Sequence, residues 1–378
     1  MGHPGLLVLL AVLIISFMTC VTLVLTQRWH GKLSLDHDLN GVQKIHKQPV
    51  PRIGGIALLA GILAGIGGAY YFDEPHAVRI LTLLACAIPA FLAGLAEDIT
   101  KRVGVRPRLY ASFASAALAA WCLDASLTDI DVPGLNLLIA YGPVSVAFTC
   151  FAVGGLTNAV NIIDGINGLA AGSVMLMLAG LGALAWIHTD MLVLMLCCIG
   201  FFALAGFLLV NYPGGKIFLG DGGAYLAGFW LAECAVLLLA RRPAVSTWAV
   251  LLTCCYPVVE TLFSVYRRHV IAGTVSSQPD QVHLHHVLMN RLRKAIPSGS
   301  PRPTWRSHAG ASLIIWILVL VCQAVAVSGY DSNSVMAAGL IWFALTYVWL
   351  YMSSVYPGRP ETSTDQAVSQ RTPTGVKI

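Results

Sequence analysis

The sequence predicts an all-α membrane bundle, and three observations carry that prediction. Charged residues make up 11% of the chain against 57% hydrophobic, with a mean hydropathy of +0.75; an average soluble domain carries about 25% charge. Apolar runs of membrane-spanning length recur from end to end. Lysine and arginine are sorted onto alternate connections, as the positive-inside rule describes for polytopic proteins.

In order, the runs fall at 5–26, 53–72, 77–96, 107–123, 138–157, 166–187, 191–210, 222–240, 246–265, 309–328 and 335–355. That makes about eleven spans, or ten if one of the weaker fourth and fifth runs does not cross. The first run follows no basic residue and is too long for a signal-peptide core, so it is expected to be a retained span. Pro89, Pro143 and Pro257 fall within helical stretches, which membrane helices tolerate better than soluble ones. The connection 266–308 is too polar to cross. Residues 357–378, rich in Ser, Thr, Gln and Pro, are expected to form a disordered cytoplasmic tail, leaving 1–356 as the membrane domain. The ten cysteines lie in apolar stretches without a CxxC pair and read as small hydrophobes.

Orientation follows from charge. The connections starting with 27–52 and the C-terminal tail hold 20 of the 23 Lys and Arg residues, leaving only Arg79, Arg241 and Arg242 on the other side. The N-terminus is therefore expected outside and the C-terminus in the cytoplasm. An odd number of spans demands the same arrangement.

The polar residues that stand out in this apolar background then fall at one face. Glu97-Asp98 ends the third span. Asn158-Ala-Val-Asn161-Ile-Ile-Asp164-Gly165-Ile-Asn167-Gly168 ends the fifth. Asn158, Asn161 and Asp164 step by three and share a helix face, while Gly165 and Gly168 remove bulk where a large ligand could approach. A carboxylate at a membrane edge is costly unless used or paired, although a polar cap between two spans would also favour Asn and Gly. Gly220-Asp221-Gly222-Gly223 opens the eighth span, where a helix start suits phosphate; as a plain turn, Asp221 would be an N-cap. Glu260, Arg267 and Arg268 end the ninth, followed by His283-Leu-His285-His286.

Carboxylates beside glycines at an aqueous rim suit a hard cation such as Mg²⁺, with Mn²⁺ as a substitute, and Asp221 is the foremost ligand candidate. The histidines lack a cytoplasmic cysteine to complete a thiolate zinc site. With the basic residues of their loop they read as an anion-binding wall, against the alternative of a solvated loop. Lys44-Ile-His46-Lys47 and Arg52-Ile-Gly54-Gly55 before the second span read either as a topology signal touching lipid headgroups or as a phosphate clamp.

Taken together, these motifs, in this order and spacing, resemble the polyprenyl-phosphate N-acetylhexosamine-1-phosphate transferases, from about Lys44 to His286. The resemblance implies transfer of a sugar 1-phosphate from a UDP-N-acetylhexosamine to undecaprenyl phosphate, with Mg²⁺ and release of UMP, in the bacterial inner membrane with the site facing the cytoplasm. On that basis Glu97, Asp98, Asp164 and Asp221 are the expected catalytic acids, with Asp221 and Asp164 on the metal. Asp98 is expected to position the lipid phosphate or act as its base. Arg52, Asn158, Asn161, Asn167, Glu260, Arg267, Arg268, His283, His285 and His286 are expected around the substrates. Membrane lipids and a second copy of the chain are the other expected partners, with no nucleic acid. Most members carry Asp-Asp where this chain has Glu97-Asp98, and many carry Asp at Asn167. The chain looks more like the branch that initiates O-antigen or other surface glycans than the peptidoglycan branch, whose donor is a muramoyl-pentapeptide. A secondary transporter is the rival class, but transporters place coupling residues near the midplane on broken helices.

Overall fold

The computed structural model describes residues 3–34, 50–72, 74–271, 282–295 and 305–355. The expected tail and the Lys44, His46 and Lys47 motif lie outside the described residues. Fifteen α-helices follow in order: α1 (His3–Leu25), α2 (Gln27–Ser34), α3 (Gly55–Tyr71), α4 (Ala77–Thr100), α5 (Val105–Cys122), α6 (Leu135–Ile139), α7 (Gly142–Ile163), α8 (Leu169–Ile187), α9 (Met191–Asn211), α10 (Gly220–Arg241), α11 (Thr247–Thr253), α12 (Cys255–Tyr266), α13 (Leu284–Lys294), α14 (Trp305–Ser328) and α15 (Asn333–Val355). A π-helical turn, Arg267–Ile271, extends α12.

Every predicted run is helical, but eleven spans are not established. Among the described residues eight helices are long and apolar enough to cross a membrane, nine if the bent pair α11–α12 is one span. Helix α3 is apolar but has 17 residues. Helix α5 has the length, yet Arg106 and Arg108 sit in its first turns. The expected span at 138–157 is also displaced. Pro143 does not interrupt a helix but stands in the first turn of α7, where its missing N–H has no partner to lose.

Pro257 does break the ninth run, one turn upstream of itself. The chain bends by 76° between α11 and α12. Proline at 257 cannot donate to the carbonyl of Thr253, four residues back. Gln323 Nε2 on α14 takes that carbonyl at 3.0 Å instead. A buried helix break survives in an apolar setting when a neighbouring side chain satisfies the freed group.

The bundle is built around α10, which packs along α4 and α7 and against α3, α8 and α9. Glycine permits this closeness. A methyl at Gly94 of α4 would fall 2.6 Å from the backbone of Asp221, and one at Gly228 of α10 would fall 2.9 Å from Thr157 on α7. These approaches draw the starts of α3, α5 and α10 and the ends of α4 and α7 to one end of the bundle.

Candidate active site

Asp98 is the anchor of that end. It is 1% exposed, and its two carboxylate oxygens accept the backbone N–H groups of Asp221 and Gly222, each at 2.9 Å. Those donors belong to the first turn of α10, which has no intrahelical partner for them. An anion there also meets the positive end of the helix dipole. The chain enters α10 through Gly220 at φ +74°, where a side chain would overlap the Arg52 carbonyl and crowd Asp98. The strand-like segment before α3 is pinned alongside: Gly54 and Gly55 donate to the carbonyls of Phe218 and Leu219 at 3.0 and 2.9 Å. This pairing sets Arg52 within 3.7 Å of Asp98 and 3.6 Å of Asp221, so one guanidinium faces both acids.

Asp221 is the hub. Its Oδ1 accepts from Asn161 Nδ2 at 3.0 Å, and its Oδ2 accepts from Arg108. Arg108 was missed by the sequence reading, where it counted only towards the basic 97–108 connection; nothing in its local sequence separates it from Arg106. Asn158 sits one turn deeper. It donates to Ser112 Oγ at 2.9 Å and accepts from Tyr225 at 3.0 Å. Ser112 in turn contacts the Arg108 carbonyl at 3.1 Å, so Asn158 braces α5, which carries Arg108, against α7 and α10.

Asp164 follows α7 as its C-cap. No hydrogen bond from a described residue reaches its carboxylate, although the side chain keeps a partial opening to solvent. Its pKa is pushed up to about 7, first by burial and then by the charge of Asp221, with Asp98 adding to the rise and Arg52 opposing it. Three carboxylates and two guanidiniums leave this end one negative charge in excess when all are ionised. That donor set fits a Mg²⁺ ion, which takes one or two carboxylates and keeps its waters. Among the described residues no group of three His, Cys, Asp or Glu is placed to cage a metal by itself.

The remaining expected residues divide. Glu97 is turned to a different partner, its Oε2 accepting the Val103 N–H at 2.9 Å across the turn between α4 and α5. Asn167, 2% exposed, donates to the Pro213 carbonyl at 3.0 Å and so holds the chain between α9 and α10. Beside it, Asn211, also absent from the sequence reading, accepts from Gly168 N–H and donates to the Ile217 carbonyl, both at 2.6 Å. As the polar end of a strongly apolar run, it was the visible signal. Arg267 and Arg268 lie in the π-helical turn after α12 and are not among the residues gathered on Asp221.

The histidines form a second cluster. His283 Nδ1 lies 2.9 Å from Glu260 Oε1. The rings of His283 and His285 are parallel at 5.5 Å, and those of His285 and His286 are 4.2 Å apart. His285 is fully buried and its pKa is driven well below the usual imidazole range by burial, then by His286 and His283. A neutral His285 cannot add charge to an anion-binding wall; it offers one donor and one acceptor. The two clusters meet at Gly165, where any side chain would overlap His285 Nε2 and press on His286. That glycine brings imidazoles to the residue next to Asp164.

The model of the family described as "Glycosyl transferase family 4" matches residues 80–239, which takes in α4 to nearly the end of α10 and hence Asp98, Asp164 and Asp221. The "Probable undecaprenyl-phosphate N-acetylglucosaminyl 1-phosphate transferase" of Bacillus subtilis is 24% identical over 312 residues, 82% of this chain and 79% of the relative. The "Undecaprenyl-phosphate alpha-N-acetylglucosaminyl 1-phosphate transferase" of Thermotoga maritima is 28% identical over 67% of this chain and 72% of its own length. The protein of that name from Escherichia coli K12 is 26% identical over 67% and 68%. The three aspartates lie inside the matched stretch, and the family model and these relatives, aligned over most of the chain, support the family that its motifs resemble.

Proposed function

We propose that the protein transfers N-acetylhexosamine 1-phosphate, with UDP-N-acetylglucosamine as the foremost donor, to undecaprenyl phosphate and releases UMP. An oxygen of the lipid phosphate bonds to the sugar-bearing phosphorus of the donor, and the bond from that phosphorus to the UMP oxygen breaks. The names of the relatives support this reading. The observation that carries it is the convergence of Asp98, Asp164 and Asp221 with Arg52 and Arg108 at one end of a membrane bundle.

Donor and acceptor both bring phosphate charge to a low-dielectric rim, so positioning and neutralisation supply most of the catalysis. Asp221 and Asp164 would hold Mg²⁺, or Mn²⁺ in its place, and the bound ion would offset the charge of the pyrophosphate. Asp98 fixes the first turn of α10 and with it the direction of Asp221. Arg52 and Arg108 bring guanidinium groups suited to phosphate oxygens. Neutral His285 and its neighbour His286 stand beside Asp164 as hydrogen-bonding groups for the donor. The basic residues on the connections at this end support a cytoplasmic site in the bacterial inner membrane, with an outside N-terminus and eleven crossings. The product would prime a lipid-linked surface glycan.

The test uses the purified full chain with Mg²⁺, undecaprenyl phosphate and a panel of UDP-sugars labelled in the sugar. Butanol-extractable label with stoichiometric UMP supports the proposal. Release of UDP, or no lipid-linked product from any donor, overturns it.

A further inference from the structure

Helix α13 starts without a cap of its own. His283 occupies the N-cap position in extended conformation, and its side chain makes no capping hydrogen bond. The cap comes from 23 and 24 residues upstream: Glu260 Oε1 on α12 lies 2.9 Å from His283 Nδ1 and accepts the Leu284 N–H at 3.3 Å. Glu260 is 1% exposed, and a buried carboxylate is retained only where such partners offset its desolvation. We propose that Glu260 is a positioning residue of the transfer reaction, a latch that fixes His283 and the start of α13 and thereby delivers His285 and His286 to Gly165. The proposal rests on the transferase reading above.

Three relations connect the latch to the site. An ionised carboxylate only accepts hydrogen bonds, so Nδ1 of His283 carries the proton and the ring is held in one orientation. The His285 ring is parallel to it at 5.5 Å, so fixing one plane constrains the other. Among the described residues neither nitrogen of His285 has a hydrogen-bond partner, although the residue is fully buried. An orphaned buried imidazole costs free energy, and here it is pressed against the glycine beside Asp164. A helix that needed only a fold-holding cap would have no use for that arrangement.

The test measures kcat and KM for UMP release in the full chain and in Glu260→Gln, Glu260→Asp and Glu260→Ala, each matched for folded protein in detergent. Glu260→Gln keeps an oxygen to accept the Leu284 N–H but loses the charge. It is expected to lower kcat about 10–100-fold, the usual scale for removing an orienting partner, with KM for the UDP-sugar changed less than about threefold. Glu260→Asp, which keeps the charge, is expected to recover part of kcat. Wild-type kcat in Glu260→Gln, or a loss carried by KM with kcat unchanged, would overturn the proposal, whether or not Glu260→Ala folds. Failure of the wild-type chain to release UMP would instead overturn the transferase reading on which it stands.

Discussion

Asp98 does not meet Asp221 side chain to side chain: its Oδ1 accepts the backbone N–H of Asp221 at 2.9 Å, while Oδ2 accepts that of Gly222. One acid therefore aims the other. A carboxylate on α4 caps α10, and the capped turn directs Asp221 towards Asn161, Arg108 and Arg52.

Removing that cap acts on fold and function together. Asp98→Ala leaves two buried N–H groups unsatisfied, at a cost of about 2 kcal/mol or more, so the thermal midpoint in detergent falls along with UMP release. Asp98→Glu fails for a different reason. A methyl at Gly220 would already fall 2.6 Å from Asp98 Oδ2, so a longer side chain has nowhere to extend. Either variant with wild-type midpoint and turnover would refute the capping role.

Asp221 and Arg108 separate by their metal response. Asp221→Asn is expected to cut turnover about 10²-fold or more and to weaken Mn²⁺ binding read by electron paramagnetic resonance. Arg108→Ala removes a cation from an Asp221 oxygen, so Mn²⁺ binds more tightly while turnover falls. Weaker Mn²⁺ binding in Arg108→Ala would show that the guanidinium does not oppose the metal.

Gly165→Ala tests the meeting of the two clusters. The added methyl overlaps His285 Nε2, and displacing a positioned group by about 1 Å can cost about 10²-fold in rate. Turnover should fall on that scale with a thermal midpoint close to wild type. Full activity would mean that the histidines work away from Asp164.

Asp164 gives stability a pH dependence of defined sign. Its folded pKa of about 7 lies above the unfolded value of about 3.9, so between these values the folded state holds the proton more tightly. Stability contributed by the protonated form is lost as pH rises through 7. Asp164→Asn removes that loss: the variant gains thermal midpoint over wild type between pH 5 and 8. Parallel midpoint curves for the two proteins would contradict the elevated pKa.

Topology reporters check the charge argument. Fusions after Pro357 and within 298–307 should report cytoplasm, and one within 124–133 should report the outside. A periplasmic signal from the loop before α14 would place the histidines out of reach of a cytoplasmic nucleotide sugar.

The sequence by itself determined the helical class, the approximate position of each run, and the gathering of Asp98, Asn161, Asp164 and Asp221 at one face. Apolar length, basic-residue asymmetry and residues too polar for their surroundings are properties of local composition, because a bilayer penalises each exposed charge individually. Helix boundaries at Pro143 and Pro257 were less legible, since whether a proline starts or breaks a helix depends on who takes the freed carbonyl, and Gln323 lies 70 residues away from Thr253. Pairing was decided only by the tertiary structure. Arg108 looks like any basic residue at a membrane edge until α5 carries it to Asp221, 113 residues on. Glu97 and Asp98 are neighbours, yet one turns to Val103 and the other to α10, because successive residues on a helix point about 100° apart and only the packing of α4 on α10 chooses which one faces the site.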